Sequence, residues 1–324
     1  MAAGSWNGSM TSHRPPFVEL HCHSNFSFLD GASHPFELAQ KAADLEMPAL
    51  AITDTGGVYG AVRFMQAARK AGVRPIVGSE LEVDGESLRI LARTRRGYSQ
   101  MTRLLSHAHK DQPKGEARTS LGTVVEHNQD LLFLTDTDSE RRLEELQDGL
   151  GRENVFVELA NHLRPQDRWV MASRAEMAGR HQAPLLATNQ VRYHDPARRP
   201  LHDVLVAIKH KASLDEVRGR LHPNAERCLK SGDQLKPHFR DYPAAMALPQ
   251  ELAQDCDFDL DFRDVRFPGF PVPEGETPFS FLYRLTQEGA RRRYHPITPA
   301  VARRLQRELD VIEKTGLAEF FLIN

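Results

Sequence analysis

Apolar residues recur along this chain in two alternating rhythms. Short runs rich in Val, Ile, Leu and Phe lie at Phe17–His21, Ala49–Thr53, Pro75–Val83, Leu88–Ala92, Leu131–Thr135, Val155–Leu159 and Pro184–Thr188. Their length and composition predict β-strands. Between them, apolar residues fall three or four apart: Phe36, Ala39 and Ala43 within 35–47, Val62, Met65 and Ala68 within 59–71, and Met101, Leu104, Leu105 and Ala108 within 98–109. Stretches 140–150 and 166–181 continue the pattern, and each predicts a helix with one apolar stripe. A strand–helix alternation of this length argues for an α/β fold on a parallel sheet, and the number of repeats favours closure into a barrel.

After Tyr193 the pattern changes. Arg198–Lys211 predicts a helix carrying Leu201, Val204, Leu205 and Ile208, and "LHPNAERCLKS" leads into a turn-rich stretch. Prolines at 268, 271, 273 and 278 make a semi-rigid connector. Helices follow at 279–293 and 298–316, the second with Val301, Leu305, Leu309 and Ile312 in register. The end, "GLAEFFLIN", predicts a strand that begins at Phe320 and stops at once, as in a piece of something longer. The expected organisation is a loose tail over 1–16, a barrel over 17–212, a connector over 213–278 and a helical part over 279–324.

Composition narrows the function. The 324 residues hold 40% hydrophobic and 27% charged side chains with a formal charge of −2, which lacks the basic balance of a self-sufficient nucleic-acid binder. Cys22, Cys228 and Cys256 are too scattered for a disulfide framework or a CxxC zinc site, so a reducing, cytoplasmic setting is expected. No run is apolar and long enough for a membrane span, and the first sixteen residues lack the apolar core of a signal peptide.

Almost every predicted strand ends in polar side chains: His21 and His23, Asp54, Glu80, Asp136, Asn161 and His162, Asn189 and Gln190. Barrels of this kind build their active sites at that rim. Two histidines two apart on a strand point to the same side, about 7 Å apart, close enough to serve one ion or two adjacent ions. Asp30 and Glu80 offer oxygen ligands and His162 a third ring. Such a cluster would generate hydroxide near neutral pH and neutralise charge on a phosphate ester.

At these residues the chain resembles a known family. "ELHCHSNFSFLDGAS", "ALAITDTGGVYGAVRF", "PIVGSELEV" and "ATNQVRYHDPARRPLHDVLVAIKHKASLDE" are similar to the PHP (polymerase and histidinol phosphatase) domain at the amino end of the bacterial C-family DNA polymerases, the DNA polymerase III alpha subunits. "SNFSFLDGASHP" and "RYHDPARRPLHDVL" are more similar to the error-prone branch, associated with damage tolerance, than to the main replicative one. The resemblance covers about 17–324, because "HPNAERCLKS", "FPGFPVPEGET" and "RLQRELDVIEKTGLAEFFLI" look like the family's passage into the polymerase palm.

The resemblance implies a distorted (β/α)7 barrel with metal ligands at the strand ends, then a small, mainly helical segment leading toward the palm. His21, His23, Asp30, Glu80 and His162 keep ligand-type side chains. Thr55 replaces the histidine of the family's "TDH", while Gln190 and Arg192 in "TNQVRY" replace an aspartate and a histidine, and Thr137 falls near a further Cys or His position. A guanidinium is a poor ligand and repels cations. Arg192 therefore reads either as a cation standing in for metal against Asp30 and Glu80, or as a side chain snorkelling outward. His194 is a substitute ligand or a surface residue. Gly56, Gly57 and Gly60 serve an anion or a tight turn, and the basic runs at 93–96, 198–199 and 291–293 touch phosphate or face water.

On this resemblance the chain is expected to be part of an error-prone DNA-directed DNA polymerase of replication and translesion repair. The barrel would mainly brace the polymerase, with a degenerate metal site holding no ion, or Zn or Mn. Mg²⁺ belongs to a palm beyond Asn324, so this chain alone should not extend a primer. Expected partners are the palm and fingers, DNA indirectly, and other replication or mutagenesis proteins. The alternatives are a stand-alone metal-dependent phosphoesterase or 3′–5′ exonuclease, or a histidinol-phosphatase-like enzyme. The tail after Tyr193 speaks against the last.

Overall fold

Strand β1 (Ala49–Thr55) is buried on both faces up to Thr55, as a strand needs to be when helices cover one side and a filled interior the other. A computed structural model describes residues 17–113, 115–260 and 268–324; the expected tail over 1–16 lies outside the described residues. The chain divides into two compact units between residues 260 and 261.

In the first unit, α1 (Pro35–Asp44) precedes β1, and α2 (Ala61–Lys70) carries the chain to β2 (Arg74–Val83), which pairs with β1 in parallel so that Thr55 lies opposite Glu80. The expected all-parallel sheet is not what forms next. Strand β3 (Glu86–Ala92) runs antiparallel to β2 because only Asp84 and Gly85 separate them, both with positive φ (51° and 87°). A two-residue turn of that type folds a hairpin and leaves no length for a crossover.

The chain continues through α3 (Arg95–His109), the two-residue β4 (Arg118–Thr119) beside β2, α4 (Leu121–Glu126), and β5 (Leu131–Thr135), which is antiparallel to β3. Helices α5 (Glu140–Leu150) and α6 (Asp167–Arg180) then alternate with the parallel strands β6 (Val155–Leu159) and β7 (Leu185–Ala187). The segment at 17–23 forms isolated bridges, Glu19 with Leu50 and Cys22 with Val191, which bring the end of the curled sheet back to β1. The result is a distorted α/β barrel.

The barrel interior is layered. Ala51, Ile76, Leu91, Leu132, Phe156 and Leu186 share one buried apolar cluster. Side chains alternate along strands, so two or four residues on from these positions Glu80, Asp136, Glu158 and Thr188 face the same interior nearer the mouth. Because β3 runs backwards, its mouth-facing residue is Arg89, before Leu91 and not after it. The opposite end is closed from the stretch expected as connector. After α7 (Arg199–His210) and α8 (Gly232–Leu235), α9 (Pro243–Asp255) delivers Leu252, Ala253 and, just beyond it, Cys256 to the interior cluster. Residues 213–260 thus belong to the first unit.

The second unit comprises α10 (Pro278–Arg293), α11 (Pro299–Thr315) and α12 (Ala318–Ile323) around Leu282, Leu309 and Ala318. Gly316, at φ 67°, ends α11 in the left-handed region that suits glycine. The terminal run expected as a strand from Phe320 is helical instead. Ala318 and Leu322, four apart, both pack on this small core, a spacing that a helix provides and a strand does not. Among the described residues no helix is long and apolar enough to cross a membrane.

Candidate metal centre

His21 and His23 enter the mouth from the bridging segment, their ring centroids 5.3 Å apart. With Glu80 from β2 they place three ligand atoms within 4.8 Å of one another. His21 Nε2 lies 3.3 Å and His23 Nε2 3.6 Å from Glu80 Oε2. Each imidazole is oriented from its other nitrogen: His21 Nδ1 meets Glu158 Oε1 at 2.7 Å and His23 Nδ1 meets Asp30 Oδ2 at 2.7 Å. A carboxylate fixing Nδ1–H turns the Nε2 lone pair toward the pocket. His23 Nε2 is buried and has no hydrogen-bond partner among the described residues.

Arg192 points inward. Its Nε lies 3.0 Å from Asp30 Oδ2 and its Nη1 3.4 Å from His21 Nε2, so an ion pair forms with Asp30 and the guanidinium also touches a prospective ligand atom. Burial alone would raise the Asp30 carboxyl, but Arg192 and His23 hold it well below its ordinary range. Burial would likewise raise Glu80, and His23 with His21 pull it well down. Burial and Arg192 oppose protonation of His23, yet Glu80 and Asp30 outweigh them and its pKa is raised. The pocket is thus arranged around fixed carboxylate charge.

A second cation lies deeper. Arg89, 1% exposed, donates to Glu158 Oε2 at 2.6 Å and to Asp136 Oδ1 at 2.7 Å. Against the penalty of burial, Arg89 and His21 keep Glu158 well below the usual carboxylate range, and Thr188 Oγ1 also donates to it. Below them Glu19 accepts the backbone N–H groups of His21 and Asn189, while burial pushes its pKa up to about 8. Sequence reasoning had not singled out Arg89, Glu158 or Glu19.

The other positions read from the sequence lie elsewhere. His162 stands outside the three-residue group: its Nε2 bonds the Asn189 carbonyl at 3.0 Å, and burial with Arg227 nearby pushes its pKa down to about 2. Gln190 turns its Oε1 to Arg227 (3.0 Å), Thr55 is exposed, and His194 Nδ1 meets Ser33 Oγ at 2.7 Å. Thr137 is buried, its N–H on Thr135 Oγ1. Asp54 holds the 24–31 loop by accepting from Ser24 N–H, Ser24 Oγ and Ser27 Oγ. Gly31 lets that loop close, since a Cβ there would meet Ser24 O at 1.8 Å. The N–H groups of Gly56 and Gly57 are taken by Glu80 O and Ser79 Oγ, the turn role.

Two imidazole lone pairs and one carboxylate form a donor set that Zn²⁺ or Mn²⁺ accepts, supplying Lewis acidity and an activated water when bound. His21, His23 and Glu80 would hold it. The Arg192 guanidinium adjoins this donor set, its Nη1 3.4 Å from His21 Nε2, and like charges repel.

Residues 19–140 match the family model described as PHP domain. The chain carries a PHP domain. Along 95% of its length it is 36% identical to the error-prone DNA polymerase of Mycolicibacterium paratuberculosis, covering 31% of that protein. The error-prone DNA polymerase of Rhodopirellula baltica is 35% identical over 94% of this chain, which covers 28% of that relative. The PHP-bearing chain therefore spans under a third of the length of the curated relatives it matches. Among solved structures, an amidohydrolase from Chromobacterium violaceum with bound sulfate and no metal aligns at 17% identity and a TM-score of 0.38. It covers 54% of this chain and 87% of its own.

Proposed function

We propose that this chain is the PHP-domain portion of an error-prone DNA polymerase, in which the barrel mainly braces the polymerase and Arg192 occupies the place of a metal ion. The observation that supports this reading is the contact of one guanidinium with both Asp30 (3.0 Å) and His21 Nε2 (3.4 Å). A charge fixed to the chain balances the carboxylates at every metal concentration, which suits a structural part more than a hydrolase. Nucleotidyl transfer would reside in a palm supplied by the rest of such a polymerase, with Mg²⁺ there.

The second reading is a metal-dependent phosphoesterase or 3′–5′ exonuclease, favoured by the convergence of His21, His23 and Glu80 within 4.8 Å. Metal analysis of the purified chain, with phosphatase and exonuclease assays in added Zn²⁺ or Mn²⁺, separates the two. The bracing role expects less than about a tenth of an ion per chain and no hydrolysis. Stoichiometric metal with hydrolysis that disappears in His21→Ala would overturn it in favour of the second. Primer extension by this chain alone would contradict both.

A further inference from the structure

At the loop that joins β6 to α6, an open groove of about 720 Å³ runs between the start of α6 and the segment at 237–242. Its walls are tied together: Asn161 Nδ2 donates to the His238 carbonyl at 3.0 Å, and His238 Nδ1 donates to the Asn161 carbonyl at 3.1 Å. Three arginines line it, Arg164, Arg168 and Arg240, against one carboxylate, Asp241. Arg164 is held by Asp167 at 2.8 Å. Arg168 and Arg240 are exposed, and their guanidinium groups have no ion-pair or hydrogen-bond partner among the described residues. Exposed Arg69 and Arg180 are paired, with Asp259 and with Glu140 and Glu176, whereas Arg103 and the run at 291–293 are exposed and, among the described residues, unpaired like Arg168 and Arg240; what distinguishes the latter two is that they line this groove.

Two further features accompany the free guanidinium groups. Trp169, 73% exposed, follows Arg168 and lies three residues before Ala172 on α6, both of which line the groove, so helical spacing sets Trp169 on the face adjoining it. Past Pro237 and Arg240, which both share, the groove continues into an apolar one of about 560 Å³ with Pro243 and Met246 in its wall and Lys236 at its side. Guanidinium groups match phosphate oxygens bidentately, and an indole offers a face on which any base can stack.

We propose that this groove binds single-stranded nucleic acid, with Arg168 and Arg240 on backbone phosphates, Trp169 stacked on a base, and the apolar extension accepting a neighbouring base. The charge is local, which is why the overall balance of −2 gives no sign of it. An acidic protein segment would use the arginines but not the exposed indole. The assignment does not depend on whether the metal centre is occupied.

The test is fluorescence anisotropy of a fluorescein-labelled oligothymidylate of about 20 nucleotides with the full chain, in salt from about 50 to 200 mM. Saturable binding that weakens with salt is expected. R168E/R240E should lower affinity at least about tenfold, and W169A about fivefold, while R291E/R292E in the second unit changes it less than about twofold. R168Q/R240Q, which adds no negative charge, should weaken binding in the same direction, and circular dichroism checks that both pairs remain folded. Absence of saturable binding by the unmodified chain, unchanged affinity in R168Q/R240Q, a larger loss in R291E/R292E, or displacement by polyglutamate as effective as by unlabelled oligothymidylate would each overturn the proposal.

Discussion

Arg192 Nε lies 3.0 Å from Asp30 Oδ2, joining the segment after β7 to the loop after the histidine pair. Both side chains are largely shielded, 13% and 27% exposed, so the pair is more than a surface contact. Arg192→Met should lower unfolding free energy by about 2–3 kcal/mol at neutral pH, because it leaves Asp30 charged and partly buried. The sign with pH follows from the depressed Asp30 pKa. Its contribution is complete above the ordinary value of 3.8 and is lost as pH falls below it toward the folded value. Urea midpoints at pH 7 and near pH 3 should therefore show the gap between variant and parent narrowing in acid.

Arg192→His removes the guanidinium from the side of His21 Nε2 and adds a neutral donor. Zn²⁺ affinity, measured by competition with a chromophoric chelator, should rise about tenfold or more. Equal affinity in parent and variant would mean that Arg192 does not compete with the ion.

Arg89→Met leaves Glu158 buried beside Asp136 with its strongest partner gone. A loss of about 3–5 kcal/mol in denaturant unfolding is expected, far more than for an exposed arginine such as Arg141. The deficit should be much smaller when Glu158→Gln is added, since the stranded charge is then absent.

His162 stays neutral in the folded chain down to about pH 2, whereas the unfolded chain takes up that proton near 6.5. Between those values the unfolded state binds more protons, so stability falls as pH drops below 6.5. His222, pushed down to about 3 by burial and Arg227, acts in the same sense. His23, with its raised pKa, acts in the opposite sense, so the comparison must isolate one group. His162→Gln should show a shallower decline from pH 7 to 5, by up to about 1.4 kcal/mol per unit.

Much of this architecture was legible in the sequence because burial imposes strong patterns. The apolar runs at 49–53, 131–135 and 155–159 sit inside or coincide with β1, β5 and β6, and the helix over 140–150 matches α5 to the residue. The direction of β3 was also present, in the "DG" between two strand-like runs, but a strand–helix rhythm elsewhere outweighed that local signal. The direction of β3 decides which arginine reaches the site. A parallel β3 would put Arg93 at the mouth, whereas the hairpin puts Arg89 there, against Glu158. Arg89 and Glu158 could have been suspected as charges inside buried strand runs, yet which carboxylate a buried arginine meets depends on strands far apart in the chain. The terminal helix misled because "EFFLI" is too short for periodicity to separate helix from strand.

Helix α9 acts as a stopper: its residue Leu252, with Cys256 just beyond it, seals the floor of a chamber whose walls are finished by residue 187. The dry base on which the charged upper storey stands is therefore completed only when a much later stretch of chain arrives. A version cut soon after the last wall strand would let water in from beneath, and Arg89, Glu158 and His21 would lose their grip on one another without any of them having been changed.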